Sequence, residues 1–166
     1  KVHRSVPRPV AAYPGALVQL DTIHIHPLLH RKRFYIYTLL DVHSRWAHAW
    51  VSTKLSAGTS VLFLRKAVGC ATFKFQMLQS DHGPEFSSWF TSHAGIAHRH
   101  SRVRKPNDNA HLERFNRTIQ EECLYYIKQT PQHYQRAIDE WLPYYNNERP
   151  HLGLNFLSPS QVLPSS

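Results

Sequence analysis

Three acidic side chains stand where oxygen donors could do phosphate chemistry. Asp21 interrupts the apolar run LVQLDTIHI, Asp81 closes the run FKFQMLQSD, and Glu113 lies in NAHLERFNRT. An ionised carboxylate inside an apolar strand is costly unless it is paired or bound to a cation. Magnesium and manganese prefer oxygen ligands. A pair of such ions activates a water or hydroxyl and relieves charge on the leaving oxygen of a phosphodiester. Three carboxylates offset part of the charge of two ions and leave sites for phosphate oxygens. Glu85, four residues after Asp81, is the rival for the third position, because i and i+4 share a helix face. Asp41 reads as a decoy. It sits at a strand-to-turn junction, where Asp bonds the backbone two residues on, with Arg45 in reach. Glu121, Glu122, Asp139 and Glu140 read as solvated helix faces.

The elements that must position these acids follow from the apolar periodicity. Residues 17–26 read as a strand apolar on both faces, hence central in a sheet covered on both sides. Residues 34–41 and 44–52 give two further strands, antiparallel in sequence. Residues 56–70 read as a helix capped by Ser56 or Thr59. Residues 73–81 form the fourth strand and end on Asp81. Ligands gather outside the carboxyl ends of strands joined by helical crossovers. Pro84 opens a short helix, and residues 96–100 form a fifth strand. A helix capped by Asn107 or Asp108 runs to about Lys128, with Leu112, Phe115, Ile119, Cys123 and Tyr126 inward. Glu113 lies at the edge of that stripe. Thr130-Pro131 opens a last long helix. The order fits a layered α/β domain with a mixed central sheet.

Lys and Arg number 20 against 11 Asp and Glu, giving a net charge of +9 and a pI near 9.8. Such an excess suits a polyanionic partner, most often nucleic acid. The Pro-rich start, residues 1–16, reads as a basic arm or linker ahead of a core over residues 17–166. No apolar run is long enough to span a membrane, and no signal peptide is visible. Two cysteines give neither a disulfide framework nor a zinc pattern. Thirteen histidines are tempting as zinc ligands, but the alternating pairs His24/His26 and His98/His100 lack a spaced third ligand.

The segments SDHGPEF, GIAHRHSRVRKPNDNAHLERFNRTIQEE and YYNNERPHLGLNFLSP together resemble the catalytic core of DDE transposases and retroviral-type integrases, above all the bacterial insertion-sequence transposases with an integrase core. The resemblance runs from about Leu17 to Pro159. It departs at His82, where the family has Asn, and in a shortened stretch between Asp81 and Glu113. It implies a ribonuclease H-like fold, with a mixed five-stranded sheet whose first strand adjoins the fourth, flanked by helices. It implies that Asp21, Asp81 and Glu113 meet and hold two Mg²⁺ or Mn²⁺ ions, with Asp21 bridging both. The implied activity is cleavage at transposon ends and joining of the 3′-hydroxyl to target DNA. A processing nuclease of the same fold and a non-catalytic DNA-binding remnant are the alternatives. Asn116, Arg117 and Gln120, on the rim beyond Glu113, and Arg104 and Lys105 in the basic loop are the implied DNA contacts. His82 is expected to orient a phosphate or a metal ligand from behind. A homodimer or higher multimer in a bacterial cytoplasm is the implied setting.

Overall fold

The computed structural model describes residues 10–28, 32–102 and 109–164. Five strands form one mixed sheet in the order β3-β2-β1-β4-β5: β1 (Val18–Ile25), β2 (Phe34–Asp41), β3 (Ala47–Ser52), β4 (Met77–Ser80) and β5 (Ala97–His100). The first three pair antiparallel with one another, whereas β4 lies parallel to β1 and to β5. The first strand is therefore central and adjoins the fourth, as the resemblance implied.

Alternation along the strands divides the core in two. Phe34, Ile36 and Leu40 of β2, with Ala47, Ala49 and Val51 of β3, face α3 (Ala110–Thr118) and α4 (Pro131–Asn147). Val18, Leu20, Tyr37, Leu39 and Leu78 face α1 (Ala57–Cys70) and α2 (Ser88–His93). Ser56 caps α1 by accepting from the Thr59 N–H. A last short helix, α5 (Pro159–Val162), packs beside α4.

The outer edge of β3 is covered by side-chain amides of α4. Asn146 accepts from the Ala47 N–H and donates to the Ala47 carbonyl, both at 2.9 Å, and Gln135 accepts from the Val51 N–H at 2.8 Å. These bonds occupy backbone groups that an open edge would offer to another chain.

Three elements differ from the sequence reading. The fourth strand pairs only over Met77–Ser80, shorter than residues 73–81. Upstream of it, the Gln76 N–H donates to the Gly15 carbonyl instead of a neighbouring strand. Gly15 (φ +82) passes so close that an added Cβ would stand 1.9 Å from the Lys74 carbonyl oxygen, so only glycine fits there. Residues of the expected arm are thus bonded to the core, since His43 also bonds the Ala11 carbonyl and the Gly15 N–H bonds Asp41.

The helix expected from residue 107 to 128 is α3 followed by a π-helical turn, Ile119–Leu124. Its proposed caps, Asn107 and Asp108, lie outside the described residues, and Asn109 occupies the cap position. A π-turn closes i→i+5 bonds, which advances the inward position by one residue. Leu112, Phe115 and Ile119 are buried as the 3.6-residue period requires, and Cys123 packs half-buried against the same core, but the next fully buried residue is Leu124. Tyr126 is consequently 93% exposed, where the periodicity placed it in the core.

The acids read as solvated also differ at one position. Glu122 forms a two-pronged ion pair with Arg149, at 2.6 and 2.8 Å, tying the π-turn to the segment after α4.

Candidate active site

Asp21 and Asp81 come from neighbouring parallel strands. β1 and β4 pair at Gln19 and Gln79, and each acid lies two residues beyond its glutamine, on the same face of the sheet. The α3 helix is clamped over that face by three bonds. Gln19 Oε1 accepts from the Leu112 N–H at 3.2 Å, and Gln79 donates to Asn109 Oδ1 at 3.0 Å. Asn116 Nδ2 donates to Asp21 Oδ2 at 2.8 Å. Glu113 lies one turn before Asn116 on this helix and is exposed.

Asp21 has both carboxylate oxygens engaged. Oδ1 accepts from the Thr22 N–H at 2.8 Å and Oδ2 from Asn116. Its pKa is nonetheless raised to about 6, by burial first and then by the charges of Asp81 and Glu85. Asp81 is held by the Gly83 N–H, which donates to its Oδ1 at 2.9 Å.

Because Asp21 keeps its proton to about pH 6 when folded and loses it near 3.8 when unfolded, its ionisation opposes folding. The stability of the protonated form is fully present below the unfolded value and is lost as pH rises through the folded one. In protein treated with chelator, Asp21→Asn is therefore expected to raise Tm at pH 7.5 by several degrees, an effect of about 2 kcal/mol. At pH 4 the gain should vanish. Calorimetry at both pH values checks this; an equal shift at both would rule out ionisation as the cause.

Other site residues fall in different places. Asn116, expected on the outer rim, is buried against Asp21, because α3 sits close enough to β1 to turn that position inward. Arg117, one residue round, is exposed, and among the described residues no carboxylate stands within ion-pair distance of it. Gln120 is exposed but bonds back to the Asn116 carbonyl. Arg104 and Lys105 lie outside the described residues. His82 stacks on His100, with ring centres 4.6 Å apart, and His100 Nδ1 bonds the Asp81 carbonyl at 2.7 Å. His82 thus reaches Asp81 through His100. His98 is bonded at both ring nitrogens, by Ser80 and Thr91. Burial, then His100, pushes its pKa down to about 4, so it is neutral at pH 7.

The donor set fits hard divalent cations: carboxylates and an amide oxygen, without sulfur. Besides Thr22 Oγ1, two buried side-chain oxygens among the described residues lack any hydrogen bond: Oδ1 of Asn116, which bonds Asp21 through its Nδ2, and Oε2 of Glu85, whose charge acts on Asp21. Buried polar atoms ordinarily find partners, so both are open to a cation or its waters. Among the described residues, no three acid, His or Cys side chains stand close enough around one point to hold an ion as they lie. Glu113, on the helix above Asp21 and Asp81, is exposed.

Comparison with known proteins bears on this arrangement. A family model described as an integrase core domain matches residues 11–106, and a second of the same description matches residues 94–159. The chain belongs to the integrase core domain family. An insertion element IS407 protein of Burkholderia multivorans is 30% identical over 94% of this chain, and a putative integrase of Spiroplasma virus SpV1-C74 is 26% identical over 90%. The core spans 59% and 48% of the length of these two relatives. Among solved structures, the HTLV-2 integrase catalytic core domain in complex with magnesium superposes with a TM-score of 0.74, at 18% identity, over 92% of this chain and 99% of that one. A chain of the simian T-cell lymphotropic virus intasome in complex with PP2A regulatory subunit B56 gamma gives 0.77 at 17% identity, over 100% of this chain and 64% of that one. These likenesses establish the ribonuclease H-like fold. No described helix of this integrase core is long and apolar enough to cross a membrane.

Sequence reasoning missed the buried roles of Gln19, Gln79 and Asn116. The signal available was their placement. Each glutamine stands two residues before a candidate acid in a strand apolar on both faces, and a polar residue there needs a partner.

Proposed function

We propose that this core cuts transposon ends and joins the 3′-hydroxyl to target DNA, using Asp21, Asp81 and Glu113 to hold two Mg²⁺ or Mn²⁺ ions. The observation that carries this reading is the pair of carboxylates on adjoining parallel strands beneath the helix that bears Glu113. When bound, the ions supply an activated oxygen nucleophile and relieve charge on the leaving oxygen. The chain's own residues do the positioning. Thr22 and Asn116 fix the Asp21 carboxylate in one orientation, and the Gly83 N–H fixes Asp81. Gln19 and Gln79 hold α3 at the distance from which Glu113 can reach both. Arg117 meets a phosphate of the DNA end, and Gln120, Arg104 and Lys105 make further DNA contacts. The protein acts as a dimer or higher multimer in the bacterial cytoplasm.

Incubation of an end-bearing duplex with full-length protein and Mn²⁺ tests the reading. Products longer than the substrate are expected. Shortened strands alone would indicate a processing nuclease, and unchanged DNA a binding remnant.

Arg117→Ala is expected to weaken duplex affinity and to reduce the slope of log affinity against log salt by about 0.7–0.9, one phosphate contact. Titrations at several salt concentrations measure it; an unchanged slope would remove Arg117 from the DNA face.

A further inference from the structure

Glu85 lies on the 3₁₀ turn Pro84–Phe86, four residues after Asp81. The fully buried Phe86 beside it anchors that turn in the core. Glu85 itself is only 5% exposed, and its Oε2 has no hydrogen-bond partner. Among the described residues, no cation forms an ion pair with it. Burying an unpaired carboxylate is costly, and a cation, a hydrogen-bond donor or a proton offsets that cost.

The geometry places Glu85 Oε2 beside Asp81. A Cβ added to Gly83 would stand 2.7 Å from Glu85 Oε2 and 3.0 Å from Asp81 Oδ1. These two oxygens therefore flank one small space, and can be no further apart than the sum of those distances, 5.7 Å. The backbone of Gly83 is in an ordinary extended conformation, φ −59 and ψ 147. A side chain at this position would have to displace the Glu85 carboxylate, whereas its dihedrals suit any residue.

We propose that Glu85 is a fourth carboxylate of the metal centre, a positioning residue that draws a divalent ion, or a water bound to it, towards Asp81. This rests on the function proposed above and adds to its acid triad. The chemistry recognised is that of a hard divalent cation with oxygen ligands. Gly83 keeps the space between the two side chains open.

The test is calorimetric titration of full-length protein with Mn²⁺ alone, for wild type, Glu85→Gln, Gly83→Ala and Asp21→Asn, with thermal unfolding in chelator alongside. Glu85→Gln is expected to weaken Mn²⁺ affinity by tenfold or more, the range typical for groups that orient metal ligands, while Tm in chelator holds or rises. Gly83→Ala should lose affinity in the same direction, because its Cβ pushes the Glu85 carboxylate aside. A merely structural Glu85 would give the opposite pattern: lower Tm and unchanged Mn²⁺ affinity. If Asp21→Asn loses the ion while Glu85→Gln and Gly83→Ala retain wild-type affinity, the proposal for Glu85 fails and the triad stands. If Asp21→Asn also binds as wild type does, the metal centre fails and Glu85 with it.

Discussion

Asp21→Asn, Asp81→Asn and Glu113→Gln should each reduce end cleavage and joining by a factor on the order of 10³ or more, without unfolding the protein. Charge relief by bound metal contributes several kcal/mol to such a displacement, and about 4 kcal/mol corresponds to that factor. Each substitution keeps the side-chain shape and removes one negative charge. The folded state should tolerate this, since the repulsion among Asp21, Asp81 and Glu85 falls in the two aspartate variants and Glu113 is exposed. Glu121→Gln, on the exposed side of the π-turn, serves as the control and should cut at the wild-type rate. Gel assays with Mn²⁺ and circular dichroism together make the measurement. If Glu113→Gln cuts normally and Glu85→Gln does not, the third ligand is Glu85.

The largest effect on stability is expected at Asp41. Its carboxylate is fully buried and accepts three bonds. Oδ1 takes the Gly15 N–H at 2.9 Å, and Oδ2 takes the Ser44 N–H at 2.8 Å and the Ser44 hydroxyl at 2.6 Å. Asp41→Ala leaves those donors buried without partners. Hydrogen bonds to a charged group contribute about 1.5–3 kcal/mol each, and an orphaned buried donor costs about 1–3 kcal/mol. A loss of about 4 kcal/mol follows, or roughly 8–15 °C in Tm for a domain of this size. Glu140→Ala, at an exposed position of α4, should stay within about 0.5 kcal/mol of wild type. Equal melting of the two variants would show that the Asp41 network adds nothing.

Asp41 also shows what the sequence can and cannot say. Its position before a turn is local information, and the bonds to Ser44 follow from it. The bond to Gly15 spans the chain and follows only from the fold. The central place of β1 was legible because its run is apolar on both faces, whereas its pairing with the fourth strand came from the family resemblance. The π-turn at Ile119–Leu124 was not legible, since no residue type there announces an i→i+5 bond, and a 3.6-residue period carried one step too far put Tyr126 inward. Asn116 was read from spacing as a rim residue; its burial depends on how closely α3 approaches β1, which bonds from Gln19 and Gln79 determine. The Glu122–Arg149 pair and the amide cover over β3 are likewise contacts between distant segments. Asp21 and Asp81 were legible as candidates because a carboxylate in or at the end of a buried strand needs a reason. Glu113 rested on motif context, and the structure brings its helix over the two aspartates while leaving its side chain exposed.

The most direct measurement of the metal centre is anomalous diffraction from crystals of the full-length protein soaked in Mn²⁺. The account predicts manganese peaks at Asp21, with oxygens of Asp21, Asp81 and Glu113 as ligands at about 2.1 Å, the distance typical of a small hard divalent ion. Manganese bound elsewhere, for example on the His82–His100 stack, with Asp21 and Glu113 free of it, would contradict the account.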